Sequence, residues 1–132
     1  MSLSDDIKCL ATEIDDGIVN FGTAINSITG ERTFVYEADG FGNTLFMDDA
    51  NIPGLLSLPY LQYVDKSDPI YQSTRRAVLS RTTNPYFFSG SAGEGVGGPH
   101  EGYGMVWPMS IMIRALTSDS DDEIMDCLTI LK

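Results

Sequence analysis

Two kinds of helical segment alternate along this chain, and this alternation restricts the fold more than any other feature. Residues 4–26 carry one apolar stripe from Ile7 to Ile25, which predicts an amphipathic helix with Ser4 as its N-cap. Residues 107–117 are apolar almost all round, which is typical of a buried helix. Alternating half-exposed and buried helices suit a toroid of paired helices with an inner ring.

Three further helical segments extend this pattern. A short apolar helix is predicted to begin near Ile52, with Asn51 as its cap. Asp68–Pro69 repeats the cap-then-proline signal for the next helix, and Ser120–Glu123 forms a capping box for the last one. We therefore expect a mainly α fold of about five helices.

One short β-hairpin is predicted among these helices. Residues 33–38 and 44–47 are rich in β-branched and aromatic residues, and Asp39–Asn43 supplies the turn between them. Residues 82–106 contain many glycines and are predicted to form a long loop. Loops of this length inside a domain are usually functional or disordered, and the aromatic residues of this one argue against disorder.

Composition limits the partners and the compartment. The chain has 19 acidic and 8 basic residues, which argues against nucleic acid and against anionic membrane surfaces as partners. It contains no apolar run of 18 residues and no apolar signal sequence, so the chain as given is expected to be cytoplasmic. A single histidine and the lack of CxxC or HExxH predict neither a metal site nor a cofactor. Cys9 and Cys127 are predicted to be small buried residues.

Polar and flat apolar side chains are concentrated between residues 39 and 60, and this mixture suits a sugar ring. Sugar hydroxyls bind to carboxylates and amides, while the C–H face of the ring packs on an aromatic side chain. The alternative is a hairpin turn followed by a capped helix. Neighbours in a strand point to opposite faces, so we expect one carboxylate of the Asp48–Asp49 pair to brace the backbone while the other faces a pocket. The candidate residues in this stretch are Asp39, Phe41, Asn43, Asp48, Asp49 and Asn51.

The glycine-rich segment adds three candidates. Gly93, Gly95 and Gly98 match GxGxxG, but an aromatic loop precedes them and Pro99 follows, so a dinucleotide site is disfavoured and a loop close to a substrate is favoured. His100 is either a ligand for a sugar hydroxyl or a histidine bound to backbone. Trp107 is either a stacking platform for a sugar or a core anchor.

These segments resemble, in the same order along the chain, the metal-independent α-mannosidases of glycoside hydrolase family 125. Ordered matches over nearly the whole chain are far more specific than any one motif. The matching segments are DGFGN (39–43), MDDANIP (47–53), LSLPY (56–60), DPIYQ (68–72), NPYFF (84–88), GGPH (97–100) and WPMS (107–110).

The resemblance implies an (α/α)6 barrel and an inverting exo-α-1,6-mannosidase that removes terminal α-linked mannose from a glycan. It places Asp39, Phe41, Asn43, Asp48, Asp49, Asn51, Gly98, His100 and Trp107 at the sugar. The family's general base is a glutamate in a His-Glu-Ser segment and its general acid is an aspartate further upstream. Neither segment is matched here, so no residue is assigned as catalytic, with Asp49 as the one candidate.

The resemblance also implies that residues 1–132 are one internal fragment of an (α/α)6 glycosidase domain, with no second domain. Twelve helices and their loops need roughly 200 residues, which is more than this chain holds. Two interpretations stay open: a fragment of an active mannosidase, or a catalytically dead sugar-binding or interaction remnant. Inner-barrel faces that lack partners predict self-association. The residues expected to be exposed or packed against another copy of the chain are Met109, Met112, Leu55 and Leu56.

Overall fold

The computed structural model describes residues 2–132, and helices predominate in this part of the chain. Four α-helices, one 3₁₀ helix and six strands of two to four residues follow one another there. Their order is α1 (Leu3–Phe21), β1 (Thr23–Ile25), β2 (Arg32–Phe34), β3 (Glu37–Ala38), β4 (Thr44–Leu45), the 3₁₀ helix (Leu55–Ser57), α2 (Pro69–Val78), β5 (Phe87–Gly90), β6 (Gly93–Val96), α3 (Pro108–Leu116) and α4 (Asp121–Ile130). The prediction of a mainly α chain is supported, and closure into a barrel stays a proposal.

The hydrophobic core lies where the 3₁₀ helix, α2, the β5–β6 hairpin and α3 meet. Each of these elements contributes at least one side chain that is almost completely shielded from water. Burial of such aliphatic and aromatic groups is the main favourable term in folding. The core cluster consists of Leu56, Val78, Phe87, Val96 and Ile113.

Helix α1 begins two residues earlier than predicted and ends before residue 26. Ser2, not Ser4, is its N-cap: the Ser2 hydroxyl accepts from the Asp5 N–H, and the Asp5 carboxylate accepts from the Ser2 N–H in return. The helix ends at Gly22, whose N–H donates to the Ile18 carbonyl at 2.8 Å. The β-branched residues that follow form β1, which pairs with β2.

Three antiparallel hairpins are found in the described residues, where one was predicted. β3 and β4 close around the Asp39–Asn43 turn, which confirms that hairpin. The predicted strand 33–38 is divided, because its first part pairs with β1 and its last part pairs with β4. The predicted loop 82–106 contains the β5–β6 hairpin, which pairs Phe87 with Val96. Glycines in β6 weakened the strand signal there.

The predicted caps of α2 and α4 are confirmed, whereas the predicted helix near Ile52 is wrong. Asp68 accepts from the Tyr71 N–H at the start of α2, and Ser120 accepts from the Glu123 N–H at the start of α4. Only a 3₁₀ helix forms after Pro53; its N-cap residue is Gly54, and its first N–H groups donate to the distant Asp48 rather than to Asn51. Asp48, which lies earlier in the chain, thus binds the N–H groups that Asn51 was predicted to cap.

An ion-pair network joins α2, α3, α4 and β6. The Glu123 carboxylate lies 2.8 Å from the guanidinium groups of both Arg75 and Arg114, and Arg114 reaches Glu94 at 2.8 Å. Arg75, Arg114 and Glu123 are largely shielded from water, whereas Glu94 is partly exposed. Glu123 therefore does not return a bond to Ser120 as a capping box requires, because its carboxylate is engaged with arginines.

Exposure differs sharply between the two cysteines and among the predicted inner-barrel residues. Cys127 is buried as predicted, but Cys9 is exposed because α1 has no buried residue. Met112 is 48% exposed, whereas Leu56 is only 4% exposed and belongs to the core, so the predicted exposure of Leu56 is wrong.

Within residues 2–132, no helix combines the length and the apolar character needed to cross a lipid bilayer.

Candidate functional site

The Asp39 turn is stabilised by its own side chains. The Asp39 carboxylate accepts from the backbone N–H groups of Phe41 and Asn43 and from the Asn43 side-chain amide at 2.5 Å. The Asn43 amide and these N–H groups lower the pKa of Asp39 below its usual value. Phe41 projects from the turn and is 93% exposed. The turn therefore presents an aromatic ring to solvent, and its role at a sugar stays a prediction.

Asp48 is a structural carboxylate. It is buried, and its two oxygens accept from the N–H groups of Leu55 and Leu56, both at 2.9 Å. Burial raises the pKa of Asp48 to about 6, against the lowering effect of these two donors. Asp48 thus holds the start of the 3₁₀ helix against the segment that also carries Asp49.

Asp49 has a different set of partners, as the strand-neighbour argument predicted. Its Oδ1 accepts from the Asn51 N–H at 2.9 Å and from the Asn51 side-chain amide at 2.7 Å. The next residue, Ala50, donates its N–H to the Gly97 carbonyl at 2.8 Å. The acidic segment and the glycine segment are therefore joined by backbone, and Asn51 holds Asp49 in place.

Gly98 lies between two carboxylates. A Cβ placed on Gly98 would be 2.8 Å from Asp49 Oδ1 and 2.8 Å from Glu101 Oε2. Such contacts are too short for any side chain, so only a glycine lets the two carboxylates approach the backbone this closely. Glu101 was not among the predicted residues, because no periodicity or motif in the sequence points to its approach to Asp49.

Two tyrosines lie within electrostatic range of Asp49. Burial raises the pKa of Tyr36, and the negative charges of Asp49, Glu37 and Asp48 raise it further. Burial likewise raises the pKa of Tyr86, and the Tyr103 hydroxyl and the Asp49 charge add to this rise. Tyr86 and Tyr103 stack with ring centroids 5.3 Å apart and an angle of 5° between their planes. Tyr36 was missed by sequence reasoning because the predicted strand gave no sign of which face it occupies.

His100 and Trp107 flank the glycine segment. His100 is exposed in the turn after Gly98. Trp107 is 37% exposed, and its backbone N–H donates to the Val96 carbonyl at 3.1 Å. The buried Ser110 hydroxyl accepts from the Val96 N–H and donates to the Trp107 carbonyl, which fastens β6 to the first turn of α3.

The structure thus assembles some of the predicted residues and separates others. Asp48, Asp49, Asn51 and Gly98 form one site together with Glu101. The Asp39–Asn43 turn borders a different, shallow cavity with Glu37 and Leu45. Gly93 and Gly95 lie in β6, where a Cβ on Gly95 would be 2.6 Å from a Val106 methyl group. These two glycines therefore serve close packing, and the strand they form is not a phosphate-binding loop.

No group of three or more His, Cys, Asp or Glu side chains within residues 2–132 is placed to hold a metal ion. The candidate site instead combines two carboxylates, an amide and phenol groups around a glycine. Such a set accepts and donates hydrogen bonds to several hydroxyl groups at once. A small polyhydroxylated ligand is the class of molecule that fits this chemistry.

Comparisons with known proteins agree with this class of ligand. A family model described as metal-independent alpha-mannosidase (GH125) matches residues 1–132. The "Meiotically up-regulated gene 157 protein" of Schizosaccharomyces pombe is 51% identical over 122 residues, which is 92% of this chain and 24% of that protein.

A solved structure is also similar. It is a Streptococcus pneumoniae protein from a family of metal-independent alpha mannosidases, described as a non-productive substrate complex with alpha-1,6-mannobiose. It has 42% sequence identity and a TM-score of 0.91, and the match covers 96% of this chain and 29% of that chain. The present chain therefore spans less than a third of the length of either relative. Matched over its whole length, it belongs to glycoside hydrolase family 125, the metal-independent α-mannosidases.

Proposed function

We propose that this chain supplies part of the mannose-binding pocket of an inverting exo-α-1,6-mannosidase that acts on terminal α-linked mannose. The observation that carries the proposal is the close approach of Asp49 and Glu101 to each other at Gly98, with Asp49 held by Asn51. Family membership and the mannobiose complex of the S. pneumoniae relative support the choice of sugar. Closure of an (α/α)6 barrel around the pocket is part of the same proposal.

The proposed pocket holds the sugar by its hydroxyl groups. Ionised carboxylates accept hydrogen bonds that are about twice as strong as those between neutral groups. Asn51 keeps Asp49 oriented before the sugar arrives, so little orientational freedom is lost on binding. The phenols of Tyr36 and Tyr86, within electrostatic range of Asp49, offer further donors and flat apolar faces.

Asp49 and Glu101 do not suit the role of an inverting acid–base pair. One oxygen of each lies 2.8 Å from the same point, so these oxygens cannot be separated by the roughly 6.5–9.5 Å that an attacking water requires. We therefore propose that the general acid and base come from polypeptide outside these 132 residues. The chain alone would then bind mannose weakly and show no turnover, as a sugar-binding module does.

The test measures binding and turnover in parallel. NMR titration with α-1,6-mannobiose reads weak affinity, and the expected result is binding by the chain and a loss of on the order of 10-fold or more in Asp49→Ala. The control is Asp65→Ala, because Asp65 accepts from Ser67 in the same local i to i+2 arrangement but lies outside the site. Equal losses in both variants, or no binding by the unaltered chain, would contradict the proposed pocket.

Mannose release from the same disaccharide tests the assignment of catalysis. We expect no release by the isolated chain. Release that disappears in Asp49→Ala would make Asp49 a catalytic residue and the assignment to a missing segment wrong. The anomer of the first product then decides the mechanism, since a closely spaced carboxylate pair predicts retention and a widely spaced pair predicts inversion.

A further inference from the structure

Asp48 is a buried carboxylate whose charge is not balanced by a cation. Within residues 2–132, backbone N–H groups bind to it, and none of the ion pairs includes it. A cavity of about 10 Å³ adjoins it, which has room for one water molecule at most. The ionised side chain is therefore deprived of bulk water without gaining a counter-charge, which is unfavourable in a protein interior.

Residues 51–55, which we call the Asp48 lid, cover this carboxylate from one side. The Leu55 N–H donates to Asp48 Oδ1 at 2.9 Å, and a Cβ on Gly54 would be only 3.1 Å from the same oxygen. No residue of the lid is buried, whereas Leu56 directly after it is 4% exposed and belongs to the core. The lid can therefore open at less cost than the core, while the Leu56 N–H keeps its bond to Asp48 Oδ2.

We propose that Asp48 is a proton-controlled latch. While Asp48 carries a proton, the lid stays closed over it; when the proton passes to the solvent, the lid opens locally and water reaches Oδ1, with the rest of the fold intact. Asn51, which orients Asp49, belongs to the lid, so the order of the candidate site depends on pH. The inference goes beyond the proposed function, because it requires no sugar.

The groups around Asp48 leave one competitor for this proton. Asp49 is its neighbour on the same segment, and the Asp49 charge acts on Asp48. The charge of Asp48 acts on Tyr71 of α2 and on Tyr36, which lies between β2 and β3, but burial raises the pKa of both phenols, so they stay neutral in acidic and neutral solution. The 3₁₀ helix, β6 and α3 face Asp48 with side chains that do not titrate, which are Leu56, Ser57, Val96, Ser110 and Ile113.

The direction of the pH dependence follows from the two forms of the lid. Burial raises the pKa of Asp48 to about 6 in the closed form, and hydration returns it toward the ordinary value of 3.8 in the open form. The closed form thus binds the proton more tightly, so its advantage is complete below about pH 4 and is lost as pH rises through about 6. The equilibrium constant for opening should then rise on the order of 10–100-fold between about pH 4 and pH 7.

Amide hydrogen exchange of the full chain, corrected for the intrinsic rate at each pH, measures this opening. The Leu55 and Gly54 N–H groups should lose protection on the order of 10–100-fold between about pH 4 and pH 7. The Val96 N–H, which donates to the buried Ser110 hydroxyl, reports unfolding of the core. Low urea should accelerate exchange at Val96 and leave exchange at Leu55 nearly unchanged, because a local opening exposes little surface.

Three variants identify the titrating group. Asp48→Asn keeps the size of the side chain and one acceptor oxygen but cannot ionise, so the protection of the Leu55 N–H should agree within about twofold at the two pH values. Asp68→Asn is the matched control, because Asp68 accepts from the Tyr71 N–H at the start of α2 but lies outside the lid. The control should keep the pH dependence, and so should Asp49→Asn.

Any of three results would overturn the latch. Loss of the pH dependence in Asp49→Asn but not in Asp48→Asn would assign the proton to Asp49. Urea-sensitive exchange of Leu55 in parallel with Val96 would mean that Asp48 ionises only when the whole fold opens. If Asp48→Asn does not fold, a ¹³C NMR titration of the Asp48 carboxyl group in the unaltered chain decides: a midpoint near about pH 6 supports the latch, and one near the ordinary value of 3.8 contradicts it.

Discussion

Helices α1 and α2 share an amphipathic pattern but differ completely in burial. The apolar residues of α1 include Leu3, Ile7 and Ile14, and each of these is at least 55% exposed. Helix α2, about half as long, buries five residues, among them Tyr71 with no exposed surface. An apolar stripe therefore shows that a helix face is suited to burial, and it does not show which element covers that face.

The difference lies in the partners that each helix meets in the chain. Helix α2 packs on β2 and the 3₁₀ helix, and the Tyr71 hydroxyl donates to the Leu56 carbonyl at 3.0 Å. Helix α1 is followed directly by β1, and a side chain on it, Asp15, accepts from the Tyr63 hydroxyl at 2.9 Å. Three experiments test whether stability is concentrated in the α2 region.

The largest effect is expected from Glu123→Ala in the packed region. This change leaves Arg75 without its carboxylate partner and Arg114 with Glu94 alone, which should cost about 3 kcal/mol in the free energy of unfolding. The measurement is urea denaturation followed by circular dichroism. Asp119→Ala removes an exposed ion pair to Lys66 and should cost less than about 1 kcal/mol. A similar loss in both variants would mean that the network contributes no more to the free energy of unfolding than the exposed pair does.

A smaller effect is expected from the ionisation of Asp48. Its folded-state pKa of about 6 lies above its ordinary value of 3.8, so the folded chain binds the extra proton between these values. The contribution of Asp48 to stability is thus fully present below about pH 4 and is lost as pH rises through about 6, by about 2–3 kcal/mol.

Asp48→Asn checks this sign. The variant loses one acceptor and should be less stable at low pH, but its free energy of unfolding should change less between pH 4 and pH 6.5 than that of the unaltered chain. Urea denaturation at both pH values gives the comparison. Parallel pH profiles in the two proteins would show that Asp48 does not titrate in this range.

The smallest effect is expected on α1. Ile14 is 55% exposed, so Ile14→Ala should change the free energy of unfolding by about 0.5 kcal/mol or less. Sedimentation at micromolar concentration accompanies the measurement. A large loss in Ile14→Ala together with a dimer would show that copies of the chain cover this stripe, rather than the inner-barrel faces at which self-association was predicted.

Local signals in the sequence predicted much of the helical structure. Asp68 and Ser120 cap helices because a side-chain oxygen needs only the next three residues to find its donors. The turn at Asp39 was equally local. By contrast, Asp48 binds an N–H group seven residues away, at the start of the 3₁₀ helix. The division of segment 33–38 depended on which strand each half pairs with in the fold.

The candidate site was predictable only in part, for the same physical reason. Asp49 and Asn51 are close in sequence, so their cluster was visible as a polar motif. Glu101 and Tyr36 reach the site through folding of separate segments, and no spacing in the sequence brings them together. The resemblance supplied Gly98 as a binding residue, while the structure supplied the steric reason for a glycine there.

The hydroxyl of Ser110 makes the site sensitive to distant packing. Because this one group joins the end of β6 to the first turn of α3, neither element can slide without moving the other. Gly98 follows β6 by two residues, so the packing of α3 on β6 also bears on where Gly98 meets Asp49 and Glu101. Near the end of α3, Arg114 is paired with Glu123 of α4. Substitutions on α4 are therefore expected to shift the segment that carries Gly98 without altering any residue of the proposed site.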